Sequence, residues 1–183
     1  MSDKGPSPIA IVGRLTLILL TSVSLLTGYS NLLNRFAGAS EDPATVLSKV
    51  LENASEFKPV MDDKGAVLYY EAYDDKGALV GYGFIKTDRG MWGDIRIAGG
   101  IDLNYKVTGL QVIEQSETPG LGARIAERKF LDQFKEMQPE EIKLRRFGGS
   151  VDAITGASIS SRAVTEIVRK EVERLREQRE EGK

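Results

Sequence analysis

The stretches AVLYYEAYD (Ala66–Asp74) and LVGYGFIKT (Leu79–Thr87) flank Asp75-Lys76-Gly77, and their reading decides the fold class. Both are rich in aromatic and β-branched residues, which suit a pleated, half-buried surface, and the segment between them has turn chemistry. They read as an antiparallel hairpin. Downstream, DIRIAGGIDL (94–103) and KVTGLQVIEQS (106–116) read as further strands, with Gly90, Gly93, Gly99, Gly100 and Gly109 as turns or bulges. Upstream, Asp42-Pro43 has the form of an N-cap followed by proline at the first helical position. Val46, Leu47, Val50, Leu51 and Ala54 then recur at helical spacing.

Beyond a turn near Pro119, residues 126–137 read as a helix with Phe130, Leu131 and Phe134 on one side, and residues 142–147 as a short strand. From Ile159 onward a final helix carries Val164, Ile167, Val168, Val172 and Leu175 as its buried stripe, ending in a solvated REQREEGK. The pattern is α+β: a strongly twisted antiparallel sheet flanked by helices.

With 183 residues, the chain has room for one soluble domain of ordinary size and a short accessory segment. A net charge of -2 gives no broad electrostatic surface for nucleic acid. The sequence contains neither cysteine nor histidine. Fe–S clusters and the usual haem ligations are therefore excluded, as are His/Cys zinc sites, disulfides, Cys nucleophiles and Ser-His-Asp chemistry. A redox cofactor would have to be organic, and a flavin could not be tethered through its ring to His or Cys.

The amino-terminal run IAIVGRLTLILLTSVSLLTGYSNLL (9–33) carries one charge, Arg14. A helix rising 1.5 Å per residue between Arg14 and Arg35 spans a hydrocarbon core of roughly 30 Å. Residues 1–35 thus read as a cytoplasmic amino terminus and transmembrane helix, and residues 36–183 as an extracytoplasmic domain. Lys4 and Arg14 before the run, and Arg35, Glu41 and Asp42 after it, set that orientation. Ala37-Gly38-Ala39 has the small-x-small form of a signal-peptidase site, the competing reading.

Two segments stand out from plain scaffold. Glu117-Thr118-Pro119-Gly120-Leu121-Gly122 places Pro-Gly at the centre of a β-turn and adds a second glycine that admits close approach. Asp152-Ala153-Ile154-Thr155-Gly156-Ala157-Ser158 sets small residues and two hydroxyls just before a helix. Ser158, Ser160 and Ser161 all suit an N-cap. A helix start is also where backbone N–H groups and the helix dipole hold a phosphate.

Asp-Ala-Ile-Thr-Gly-Ala-Ser resembles the Asp-x-x-Ser/Thr-Gly-Ala-Thr/Ser signature of FMN-binding domains modified by a flavin transferase, which joins FMN from FAD through its phosphate to the last hydroxyl. Together with the upstream Glu-Thr-Pro-Gly-Leu-Gly, the amino-terminal helix and the length, the chain is similar to the G-subunit family of the Rnf electron-transport complex, which couples electron transfer between ferredoxin and NAD to Na+ or H+ movement. The resemblance implies one FMN-binding domain over 36–183, held in a cell membrane by a single span, with partner membrane subunits and a flavin transferase for maturation. It implies Ser158 as the covalent FMN-phosphoryl acceptor, where threonine is commoner in the family. Thr155, Gly156 and Ala157 would shape its turn, and Asp152 would orient the loop or aid transferase recognition. Glu117, Thr118, Pro119, Gly120, Leu121 and Gly122 would lie against the flavin.

Two alternatives stand beside this one: the C subunit of a Na+-translocating NADH:quinone reductase, and an exported scaffold or binding module whose hydroxyls only cap a helix. Trp92, Tyr69, Tyr70, Tyr73 and Tyr82 read as core or sheet-face residues, and Arg145-Arg146 as a solvent-facing basic pair.

Overall fold

The computed structural model describes residues 8–37 and 41–181, with side-chain surroundings for 13–28 and 41–180. The chain divides into two compact units, Met1–Glu41 and Asp42–Lys183. Among its described residues the first holds one helix, α1 (Pro8–Ala37). Eight large apolar side chains between Leu15 and Leu26 are 54–72% exposed on it. The Thr21 and Thr27 hydroxyls donate to the Ile18 and Val23 carbonyls at 2.9 and 2.8 Å, so they are satisfied within the helix. Among the described residues, no helix is long and apolar enough to cross a membrane. The transmembrane span expected within residues 1–35 is thus not established by the fold. Lys4, Gly38 and Ala39, on which the orientation and cleavage readings partly rest, lie outside the described residues.

The second unit is built on a five-stranded antiparallel meander in the order β1-β2-β3-β4-β5. Its strands are β1 (Glu56–Met61), β2 (Val67–Tyr73), β3 (Leu79–Arg89), β4 (Asp94–Asp102) and β5 (Val107–Gln115). The β2–β3 hairpin pairs as its sequence implies, with Tyr70 opposite Gly83 and Ala72 opposite Gly81. Three of the hairpins are closed by one device. Asp62, Asp74 and Asp102 each accept, through Oδ1, the N–H groups two and four residues on, at 2.8–2.9 Å. The left-handed turn position is filled by Gly65 and Gly77 in the first two and by Tyr105, at φ 62°, in the third. β1 carries Pro59 and was not legible as a strand; its pairing with β2 is its main support.

Alternation along the strands separates two faces. Tyr82, Phe84, Ile95, Ile97 and Ile101 share one core with the stripe of α4 (Ser158–Glu181): Val164, Ile167, Val168, Val172 and Leu175. On the other face, α2 (Pro43–Ser48) places Val46 and Leu47, followed by Val50, against Ala98, Phe57 and Ile85. Asp42 caps α2 by accepting the Ala44 N–H, as its sequence implies. Two strand glycines make this contact possible. A Cβ on Gly83 would stand 2.8 Å from Leu47 Cδ2, and one on Gly100 would stand 2.7 Å from Leu51 Cγ. Gly99, Gly100 and Gly109 lie inside strands and are not turn residues; the β4–β5 register shifts at Gly100/Ile101, where Gly100 pairs with Gly109, and again at Arg96/Ile97.

Two expected elements differ. Residues 126–137 form a 3-10 turn ending at Ala126, a single helical turn α3 (Arg128–Leu131) and another 3-10 turn, Asp132–Phe134. The apolar side of this segment is as expected, since Phe130, Leu131 and Phe134 are buried. Continuous helix is lost because Glu127 and Lys135 are extended and Glu136 is left-handed at φ 62°. That geometry lets the Glu136 N–H donate to the Val107 carbonyl at 2.8 Å, while the Val107 N–H donates to the Met137 carbonyl at 3.2 Å. Tertiary pairing with the start of β5 overrides helix propensity. The expected strand at 142–147 is one parallel bridge, Leu144 to Val151, followed by a 3-10 turn, because the chain reverses too soon to extend the ladder.

Leu47 is fully buried between α2 and the glycine-cleared strand. Leu47→Ala is expected to cost about 2–5 kcal/mol, the usual range for a buried leucine whose cavity cannot collapse, read as a lower urea midpoint at unchanged slope.

Candidate functional site

The two segments singled out in the sequence meet at the amino-terminal end of α4. Residues 154–157 form a turn in which the Ala157 N–H donates to the Ile154 carbonyl at 2.9 Å. Gly156 takes φ +81°, which favours glycine at that position. Leu121 packs over it: a Cβ on Gly156 would lie 3.1 Å from Leu121 Cδ2. The Pro119-Gly120 turn closes with the Leu121 and Ala123 N–H groups donating to the Thr118 carbonyl at 3.2 and 3.1 Å, Gly120 being left-handed at φ +76°.

The three serines at the start of α4 are engaged differently. Ser161 is buried; its hydroxyl donates to the Ala157 carbonyl at 2.9 Å and accepts the Ile154 N–H at 3.0 Å. The Ser160 hydroxyl, also buried, donates to Glu117 Oε2 at 2.6 Å. Ser158 is half-buried, and no hydrogen bond involves its hydroxyl among the described residues. The first helical bond at this end runs from the Ser161 N–H to the Ala157 carbonyl at 2.9 Å, so the N–H groups of Ser158, Ile159 and Ser160 have no partner within the helix. A free hydroxyl beside three open backbone donors suits a phosphoryl group.

Glu117 does not face outward with the rest of its loop. It is 5% exposed, and its carboxylate accepts the Met91 and Trp92 N–H groups at 2.7 and 3.3 Å as well as the Ser160 hydroxyl. Thr118, Pro119 and Gly120 form the exposed or loop part of the turn, and Leu121 is 47% exposed. Gly122 is buried beneath them: a Cβ there would stand 2.7 Å from Glu117 Oε2 and 3.0 Å from Ser160 Oγ. Asp152 and Thr155 are exposed and Ala157 is buried. The Asp152 peptide is gripped by the Gln133 side-chain amide, which accepts its N–H at 2.8 Å and donates to its carbonyl at 3.3 Å. The Asp152 carboxylate pairs with Arg145 at 2.7 Å in an exposed contact worth little to stability. A groove of ≈ 370 Å³ runs along Asp152–Thr155, with Arg124, Lys129 and Phe130 on its other side.

A family model described as FMN-binding domain matches residues 90–173, which takes in both segments. The chain is 38% identical over 141 residues to the G subunit of the ion-translocating oxidoreductase complex of Methanosarcina acetivorans, covering 73% of this chain and 75% of that protein. This chain belongs to the same G-subunit family. A second member, from Aliivibrio fischeri strain MJ11, is 39% identical over 90 residues, covering 45% of this chain and 43% of its own length. A crystal structure of the C subunit of Na(+)-translocating NADH-quinone reductase from Parabacteroides distasonis shares the fold at a TM-score of 0.52 and 22% identity, covering 68% of this chain and 77% of that one.

One residue of this G-subunit family member differs from its sequence-based reading. Trp92 is neither core nor sheet-face: it lies on the β3–β4 loop with its side chain 65% exposed, and its backbone is held by Glu117. Strand spacing gave no signal, because the loop's position depends on a contact 25 residues away. The tyrosines follow expectation better; Tyr82 is buried and meets Tyr69 edge to face at 5.9 Å.

Gly122→Ala is expected to destabilise the domain by about 1–3 kcal/mol, since the added methyl overlaps both Glu117 and Ser160. A denaturant titration checks this, and a change below about 0.5 kcal/mol would show that the loop yields freely.

Proposed function

We propose that the chain is the electron-carrying subunit of a membrane-bound ferredoxin:NAD oxidoreductase that moves Na+ or H+, and that it holds one FMN through a phosphodiester at Ser158. The observation that carries this reading is the unengaged Ser158 hydroxyl at the helix start, in a turn shaped by Thr155, Gly156 and Ala157. Its two neighbouring serines are committed to internal bonds. In maturation, Ser158 Oγ attacks the FMN-side phosphorus of FAD. The bond from that phosphorus to the bridging oxygen breaks, AMP leaves, and the hydroxyl proton passes to a base on the flavin transferase or to solvent.

Once attached, FMN supplies the redox chemistry, and the chain supplies position and surroundings. The open N–H groups of Ser158, Ile159 and Ser160 would hold the phosphate. Leu121, 47% exposed over Gly156, and the exposed Trp92 and Ile159 offer apolar surface for the ring system. Asp152, held by Gln133 and Arg145, presents the loop to the transferase. A covalent link suits an extracytoplasmic domain, where a dissociated cofactor would be lost by dilution.

Attachment to the cell membrane by residues 1–35, with the amino terminus cytoplasmic, belongs to the same reading. It is supported by the apolar run 15–33 and by the exposed leucines of α1. The alternative, the C subunit of a Na+-translocating NADH:quinone reductase, rests on fold likeness alone. The scaffold alternative, in which the hydroxyls of Ser158, Ser160 and Ser161 only cap the helix, leaves the Ser158 hydroxyl without a role, since only those of Ser160 and Ser161 make such internal bonds.

Intact mass of the chain matured with its transferase should rise by one FMN less water, localised to the peptide containing Ser158. Ser158→Thr should keep the increment and Ser158→Ala should abolish it; an unmodified wild-type serine overturns the reading. The full chain should stay with the membrane fraction through an alkaline carbonate wash, and its release would remove the anchor.

A further inference from the structure

Glu117 has no cationic partner among the described residues, yet it is buried and accepts three hydrogen bonds. Two of the donors are consecutive backbone N–H groups of the β3–β4 loop, and the third is a hydroxyl on the first turn of α4. Its own N–H donates to Gln115 Oε1 at 2.6 Å, which fixes where the side chain leaves β5. Burying a carboxylate without a counter-charge costs several kcal/mol unless hydrogen bonds replace its water. A plain loop staple could use a neutral amide at lower cost. Space is kept for this group on two sides: a Cβ on Gly90 would overlap Oε1, and one on Gly122 would crowd Oε2.

The segment held in this way ends in Trp92, the chain's single tryptophan. Its indole is 65% exposed, so side-chain packing contributes little to its placement. Its backbone is placed by the loop's own closure, the Gly90 N–H donating to the Gly93 carbonyl at 2.7 Å, and by the Met91 and Trp92 N–H bonds to Glu117, whose carboxylate also grips Ser160, two residues beyond Ser158. We infer that Glu117 is a positioning residue that fixes Trp92 relative to the Ser158 turn, so that the indole stacks on the flavin. The carboxylate itself does not touch the ring. This inference rests on FMN attachment at Ser158.

Tryptophan in contact with a flavin quenches its emission, and unfolding releases the quench. The readout is therefore the ratio of flavin emission after denaturation to emission in the native state, on the full chain matured with its transferase. The ratio is independent of how much FMN was loaded. The wild type should show a several-fold ratio, and Trp92→Phe should bring it close to one. Glu117→Gln, which keeps size but turns one acceptor into a donor, should lower the ratio at least two-fold in protein that is still folded by circular dichroism. Ser160→Ala, which removes one donor, should lower it by less and decides the matter if Glu117→Gln does not fold.

If the folded variants have a reduced unfolding midpoint but the wild-type ratio, Glu117 is structural only and the inference fails while the Ser158 reading stands. A wild-type ratio unaffected by Trp92→Phe also overturns the inference alone. A wild-type chain without covalent flavin overturns both, and intact mass on the same sample distinguishes that case.

Discussion

One stripe of α4 buried against one face of the meander positions everything that can act in this molecule. Val164, Ile167, Val168, Val172 and Leu175 share a core with Tyr82, Phe84, Ile95 and Ile97. Full burial of such side chains is worth about 1.5–3 kcal/mol each, well beyond the few tenths by which serine disfavours a helical turn. Lys86 on β3 meets Glu171 on α4 at 3.8 Å, where burial pushes the Glu171 carboxyl up and Lys86 offsets part of that rise. With the body of the helix held, its first turn is presented beside the loops that follow β3 and β5, and a hydroxyl there gains a fixed setting.

The setting is selective because hydrogen bonding divides three chemically similar serines. Local reasoning makes each a helix cap. In the fold, Ser161 closes the 154–157 turn and Ser160 is taken by a carboxylate 43 residues earlier. Ser158 is left with its hydroxyl free and with open N–H groups around it. The same arrangement explains why the 117–122 loop is not uniform: Leu121 sits over Gly156, whereas Glu117 turns inward and ties three segments together.

Much of this was legible in advance, for identifiable reasons. Strands β2 to β5 are dense in β-branched and aromatic residues, and the turn at Asp75-Lys76-Gly77, closed by Asp74, is a local device that needs no distant partner. The α4 stripe is a periodicity, and Asp42-Pro43 is a cap formed by neighbours in sequence. The segment from 126 to 137 misled because its apolar spacing is helical while its backbone is bent by Val107, far back in the chain. Trp92 misled because an aromatic between two strands resembles a core residue until the loop that carries it is seen.

Sequence alone determined the α+β class, strands β2 to β5 and the two segments proposed for the site. These depend on side-chain alternation, turn chemistry and short motifs, all properties of residues a few positions apart. Only the tertiary structure decided which serine is free, that Glu117 faces inward, and that Trp92 is exposed beside the site. Ser161 is taken by its near neighbours Ala157 and Ile154, but the inward turn of Glu117, the engagement of Ser160 and the hold on the Trp92 backbone rest on hydrogen bonds between residues 25 or more positions apart, and no local preference encodes which of several equivalent groups such a bond will take.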